Sequence, residues 1–191
     1  VSHLGVPKPF GWPTPLEAAA SLVSDDFCLM HCHDGASWTL AAASLCAPTY
    51  WRLAPMLNRS LGGLHGAVPG GDPDLAARIG RVFDGLAPER LLERFNWTVQ
   101  RGDARFTPVR PTHGEGLYLR VERQTIRKLP RTGDVLFTIR ITIDPLTALL
   151  NDRETREAFA TAWQDAPADV RSYKAWDTLE ADVTTLIAAY A

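Results

Sequence analysis

"LYLRVERQTIRKLPRTGDVLFTIRITI", residues 117–143, has the composition of two strands joined by a turn, yet its first half is crowded with ions. A half-buried strand alternates apolar and polar side chains, because successive residues point to opposite faces of the sheet. Leu117, Leu119 and Val121 keep one face apolar until Arg123 interrupts it, and Tyr118, Arg120, Glu122 and Gln124 share the other. That polar face reads either as a solvated ladder of ions or as the wall of a site. In the second half, Arg140 interrupts an apolar strand on the face of Thr138 and Thr142.

Upstream, "FNWTVQ" (95–100) is a third strand, and two more come earlier in the chain. "DDFCLMHC" and "WTLAAASLC" flank "HDGAS", whose Asp34-Gly35 pair is a hairpin signal. Before them "TPLEAAASL" opens a short helix, with Thr14 as N-cap, Pro15 at the first helical position and Glu17 completing a capping box. Between Pro48 and Arg94 the chain reads as short helical pieces, because Pro55, Gly62, Gly63 and Pro69 forbid one long helix. "DPDLAARIGRVFDGL" is the best of them, capped by Asp72. After residue 150 the chain is helical: "DRETREAFATAWQ" is amphipathic, and Trp176, Leu179, Val183, Ile187 and Tyr190 form an apolar stripe. Two strands, a helical excursion and three strands make the order of a PAS domain. The expected fold is therefore α+β: a PAS-like five-stranded antiparallel sheet with helices over one face.

With 191 residues, 46% hydrophobic and 22% charged, the chain suits one domain with a real core. A net charge of −2 argues against nucleic acid as the main partner. No apolar run is long enough for a bilayer, and no signal peptide is visible, although the missing initiator Met leaves open a removed upstream segment; the cytoplasm is the expected location, on the reading of the cysteines as reduced thiols. Cys28, Cys32 and Cys46 fit no disulfide framework and lack zinc-site spacing, so they read as reduced, buried thiols. Six tryptophans imply a large core, or a core wrapped around a flat apolar ligand.

Three stretches, "LGGLHGAVPG" (61–70), "ERFNW" (93–97) and "LRVERQTIRKLPRTGDVLFTIRITIDPL" (119–146), closely resemble the α subunit of haem-dependent oxidative N-demethylases. The likeness runs from about Asp25 through Pro145; family members carry a longer N-terminal portion than the arm at residues 1–13. The resemblance implies a PAS-like haem-binding domain at 14–150, its helical excursion enclosing the cofactor, with the helices of 151–191 packed on it. It also implies haem b, O2, a small amine-bearing substrate that loses a methyl group, and a separate reductase as electron donor. No dinucleotide loop or four-cysteine cluster is present in this chain itself.

Within that resemblance, His65 is the expected axial ligand, since small neighbours at Gly62, Gly63 and Gly66 allow close approach to a porphyrin. Its plain alternative is a histidine capping a surface turn. The pair His31 and His33 lacks a third metal ligand nearby in sequence and is set aside, as are His3 and His113. Glu122 is the expected holder of a substrate ammonium group, and Arg120 is expected to stabilise negative charge on bound oxygen. Both have a bland reading as a cross-strand ion pair. Trp51 and Trp97 are candidates to pack on the porphyrin, Arg123 and Arg140 to bind its propionates; each is otherwise core or surface. Two rival functions stand beside the enzyme: a non-catalytic haem PAS gas or redox sensor, and a haem-free binding protein that keeps the fold. The absence of an output domain weighs against the sensor.

Overall fold

A computed structural model describes residues 14–33, 35, 37–66, 73–111 and 114–190. The arm at 1–13, and with it His3, lies outside them, as do Asp34, Asp72 and His113.

The short helix α1 (Pro15–Ala20) starts as its sequence dictates, with the Thr14 side chain accepting from the Glu17 amide. Strands β1 (Asp25–His33) and β2 (Ser37–Ser44) form the expected hairpin, with Gly35 in its turn at φ +69°. The excursion carries a 3₁₀ turn at Ala54–Met56 and helices α2 (Leu61–His65) and α3 (Pro73–Gly85). Strands β3 (Leu91–Arg101), β4 (Leu117–Lys128) and β5 (Val135–Pro145) complete one antiparallel sheet in the order β2-β1-β5-β4-β3. Four helices follow: α4 (Leu146–Leu150), α5 (Arg153–Gln164), α6 (Ala168–Lys174) and α7 (Glu180–Ala189), with a 3₁₀ turn at Trp176–Thr178. The five-stranded antiparallel α+β architecture expected from the sequence is present.

Strand β3 begins at Leu91 rather than Phe95. The adjacent Leu91 and Leu92 break the alternation that marks a strand, but both pair with β4, whose length β3 follows in unbroken register.

The β4–β5 turn closes with Gly133 at φ +76°, and the Leu129 amide donates to the Asp134 carbonyl at 2.7 Å. A Cβ at Gly133 would meet nothing within 4 Å, so Gly133→Ala isolates the backbone cost. We expect a loss of about 1 kcal/mol, read from the urea midpoint. A change near zero would mean that the turn relaxes.

The two faces of the sheet are packed differently. Leu117 and Val99 join Leu146, Leu150, Phe159, Trp163, Trp176, Leu179 and Val183 under the C-terminal helices. Here the Trp163 and Trp176 rings stack at 4.5 Å, and Trp97 lies 4.6 Å from Trp176. Three of the six tryptophans therefore pack on one another, away from the excursion. The opposite face carries Cys28, Met30, Trp38, Leu40 and Val135, packed against Leu61 and Phe83 of the excursion. All three cysteines are free thiols, but only Cys28 is buried, because Cys32 nears the end of its strand and Cys46 lies in the loop beyond β2. Among the described residues no helix is long and apolar enough to cross a membrane.

Candidate functional site

The polar face of β4 points into the excursion side of the sheet, and it is not solvated. Arg120 is 0% and Glu122 8% exposed. Directly opposed residues share a face of an antiparallel sheet. Thr98 opposes Arg120, Asn96 opposes Glu122, and Ile141 and Ile139 oppose Glu122 and Gln124 from β5. The site thus has a polar end at β3 and β4 and an apolar floor across β5 and β1.

Two buried ions fix the loop after β2. Asp26 Oδ1 accepts from the amides of Cys46 (2.5 Å) and Ala47 (2.9 Å). Arg120 donates to the Ala47 carbonyl at 2.6 Å and to Thr49 Oγ1 at 3.0 Å. It also donates to Gln100 Oε1 (3.1 Å) and to the carbonyls of Ala104 (3.4 Å) and Arg105 (3.1 Å). A guanidinium has five N–H donors, and these contacts use all of them. Burial pulls the Arg120 pKa down and the nearby Glu122 carboxylate opposes this. The same loop is zipped to residues 104–107: Tyr50 N donates to Thr107 O at 2.7 Å, and Thr107 Oγ1 to Pro48 O at 3.0 Å. Tyr50 is held at φ +62°, a costly conformation for an aromatic residue, with the Arg110 guanidinium 4.4 Å over its ring.

What this frame positions is the Glu122 carboxylate. Oε1 accepts from the Thr49 hydroxyl at 2.5 Å; Oε2 accepts from Gln124 Nε2 at 2.7 Å and from Asn96 Nδ2 at 3.3 Å. Each of those neutral donors is backed by a cation. Arg120 donates to Thr49, Arg94 Nε to Gln124 Oε1 at 2.6 Å, and Lys174 Nζ to Asn96 Oδ1 at 3.1 Å. Lys174 is anchored further by the Trp97 carbonyl at 2.6 Å, and burial lowers its pKa against the attraction of Glu122. Among the described residues no Arg or Lys nitrogen forms a contact ion pair with Glu122. A buried carboxylate normally takes such a pair. Here positive charge stands one residue behind the contact shell, so the carboxylate is solvated by dipoles but not neutralised.

His65 is half-buried on the last turn of α2, and its Nδ1 lies 2.9 Å from the Leu61 carbonyl. Only a protonated Nδ1 can bond a carbonyl, so the neutral ring keeps its lone pair on Nε2, the arrangement usual in metal-ligating histidine. Leu64 on the same helix, together with Trp51, Leu53 and Met56, packs on the apolar cluster around Met30, Trp38 and Leu40. Helix α2 packs near β2 and Glu122 stands on β4, three strand spacings away, roughly 14 Å. An imidazole with its Nε2 lone pair free, an apolar floor and a polar cluster are the kinds of group that a flat apolar macrocycle with a nitrogen ligand calls for.

The structure separates the sequence-derived candidates into two sets. His65, Trp51, Arg120 and Glu122 belong to the excursion side. Trp97, Arg123 and Arg140 lie on the other face, by the alternation of β3, β4 and β5. One flat group cannot touch both sets. Arg123 pairs with Glu93 at 2.6 Å and Arg140 with Asp25 at 2.6 Å, both half-exposed. Trp97 lines an open groove of about 390 Å³ with Phe95, Leu119, Val121 and Phe159. None of the residues lining that groove is a His, Cys, Met or Tyr, the side chains that ligate haem iron. His31 is occupied by Asp134 at 2.6 Å. Among the described residues no three His, Cys, Asp or Glu side chains converge as a protein-only metal site requires; a haem needs one axial ligand.

Sequence reasoning did not find Thr49, Asn96, Asp26 or Lys174. Asn96 was accessible in principle, since the β3–β4 register puts it opposite Glu122. Thr49 reaches the site from a loop that no periodicity describes.

A five-stranded antiparallel sheet with a buried carboxylate on one face, and an imidazole in the helical excursion on that side, defines an α+β protein. The family model for "haem-dependent oxidative N-demethylase, alpha subunit-like" matches residues 6–184, and the chain belongs to that family.

Proposed function

We propose that the chain is a haem-dependent oxidoreductase subunit that uses O2 to oxidise a small amine-bearing substrate, with chemistry of the oxidative N-demethylation type. The fold is taken as PAS-like, on the strength of its element order: two strands, helical excursion, three strands. In this reading residues 14–150 form the haem-binding domain, and 151–191 complete it by packing on the far face of its sheet. His65 would hold haem b through its Nε2, and Trp51 would pack on it. When bound, the haem supplies the oxidising chemistry; a separate reductase supplies electrons, and the chain is taken as cytoplasmic.

The chain's own residues bind and orient. Glu122 holds the protonated amine, and the observation that carries this is that, among the described residues, it has no contact cation despite burial. An incoming ammonium group completes a charge pair that the protein leaves open. Arg120 acts as a positioning residue, because its five N–H groups are spent on Thr49, Gln100 and three carbonyls. It sets Thr49 against Glu122 and closes two loops over the site. Trp97, Arg123 and Arg140 take no part in this arrangement.

Glu122→Gln tests the reading. In the better of its two orientations the new amide donates to Thr49, whose own proton then loses its acceptor. That costs about 1 kcal/mol of stability and leaves the haem contacts alone. Amine affinity should fall by about 1.5–3 kcal/mol, roughly tenfold or more, in titrations followed at the haem Soret band. Equal dissociation constants in the two haem-loaded proteins would remove Glu122 from substrate binding.

A further inference from the structure

A carboxylate offers about four acceptor positions, two on each oxygen. On Glu122, among the described residues, Oε2 is full, taking both Gln124 Nε2 (2.7 Å) and Asn96 Nδ2 (3.3 Å), while Oε1 takes only Thr49 (2.5 Å). One position remains, on Oε1. Neither amide is free to turn its N–H groups away: Gln124 Oε1 is fixed by Arg94 at 2.6 Å and Asn96 Oδ1 by Lys174 at 3.1 Å.

We infer that Gln124, with Asn96, is a specificity-determining residue, which makes Glu122 a single-contact site that favours compact secondary and tertiary ammonium cations over planar guanidinium cations. The inference rests on the proposed role of Glu122 in amine binding. A guanidinium gains its advantage from a two-pronged contact with both carboxylate oxygens, and here the second prong has no acceptor. A protonated tertiary amine brings one N–H and a protonated secondary amine two; each gives one to Oε1, and neither presents the planar fork of a guanidinium. Quaternary ammonium ions carry charge but no N–H. The occupied Oε2 is therefore a filter rather than a passive prop.

Calorimetric titration of the haem-loaded full chain with the chloride salts of four cations tests this without turnover or a reductase. Dimethylammonium and trimethylammonium should bind within about threefold of each other. Tetramethylammonium should bind roughly tenfold or more weaker, the loss of one charge-assisted hydrogen bond, and methylguanidinium by a similar factor, because the second prong of its fork is buried without an acceptor. Gln124→Leu opens a position on Oε2 and should raise methylguanidinium affinity relative to dimethylammonium by about tenfold. Asn96→Ala, at the more exposed edge strand, opens the other Oε2 position and should move the ratio the same way. Methylguanidinium binding as tightly as dimethylammonium to the parent protein overturns the inference, as does an unchanged ratio in both variants. If none of the four cations binds, the assignment of Glu122 as amine holder falls, and the filter with it. Binding in the wrong order sinks the filter alone.

Discussion

Arg120→Leu should lower the unfolding free energy by about 3–5 kcal/mol, the range found when one member of a buried charged network is removed. The side chain is fully buried, and its loss strands the carbonyls of Ala47, Ala104 and Arg105 together with the Gln100 amide oxygen. Leucine fills part of the volume but supplies no donor. Domains of this size are stable by about 5–15 kcal/mol, so the variant forfeits a large fraction of its margin. Arg120→Lys keeps the charge and supplies three donors in place of five, and should recover part of the loss. Urea unfolding with unchanged slope reads both values. A loss under about 1 kcal/mol for the leucine variant would mean that the loops at 45–50 and 104–107 hold themselves in place.

The same residue shows how much of the site was legible in advance. Alternation along β4 put Arg120, Glu122 and Gln124 on one face, and the structure keeps them there, buried. Whether such a face is solvated depends on what covers it. Here the cover is a loop, Ala47 to Tyr50, and the β3–β4 connection around Ala104 to Thr107, neither of which has a period to read. Asp26 is a similar case: within "DDFCLMHC" it looks like a polar lead-in to a strand, yet it is buried and caps two backbone amides of that loop.

The strands themselves were easier, because their signal is local. Hairpin chemistry at Gly35 and the alternation of β4 and β5 need no knowledge of distant contacts. Arg123 and Arg140 show the limit of that locality. They oppose each other across β4 and β5, on the face away from the excursion, and each finds a carboxylate there. Assigning them to propionates required knowing which face the cofactor takes, and parity along a single strand does not say which face that is.

His65→Ala should release haem, and apo and holo stability measured side by side show whether the histidine is a ligand or only a turn residue. In the apo protein the substitution deletes one hydrogen bond, from Nδ1–H to the Leu61 carbonyl, so unfolding should shift by about 1 kcal/mol or less. In the holo protein it should delete the proposed bond to the haem iron as well. Loss of a partner that merely orients a metal ligand costs roughly 10–100-fold in affinity, and loss of the ligand itself should cost more. A ligand present at about 100 times its dissociation constant stabilises the native state by about 2.7 kcal/mol. The parent should therefore gain at least that much from haem under such conditions, and the variant little. Imidazole added in solution should restore the nitrogen-ligated spectrum in part, because it supplies the donor that the substitution removes. A variant that keeps both the parental spectrum and the parental thermal gain with haem would assign the axial bond to another residue. A variant that loses stability equally with and without haem would return His65 to the role of closing the last turn of α2.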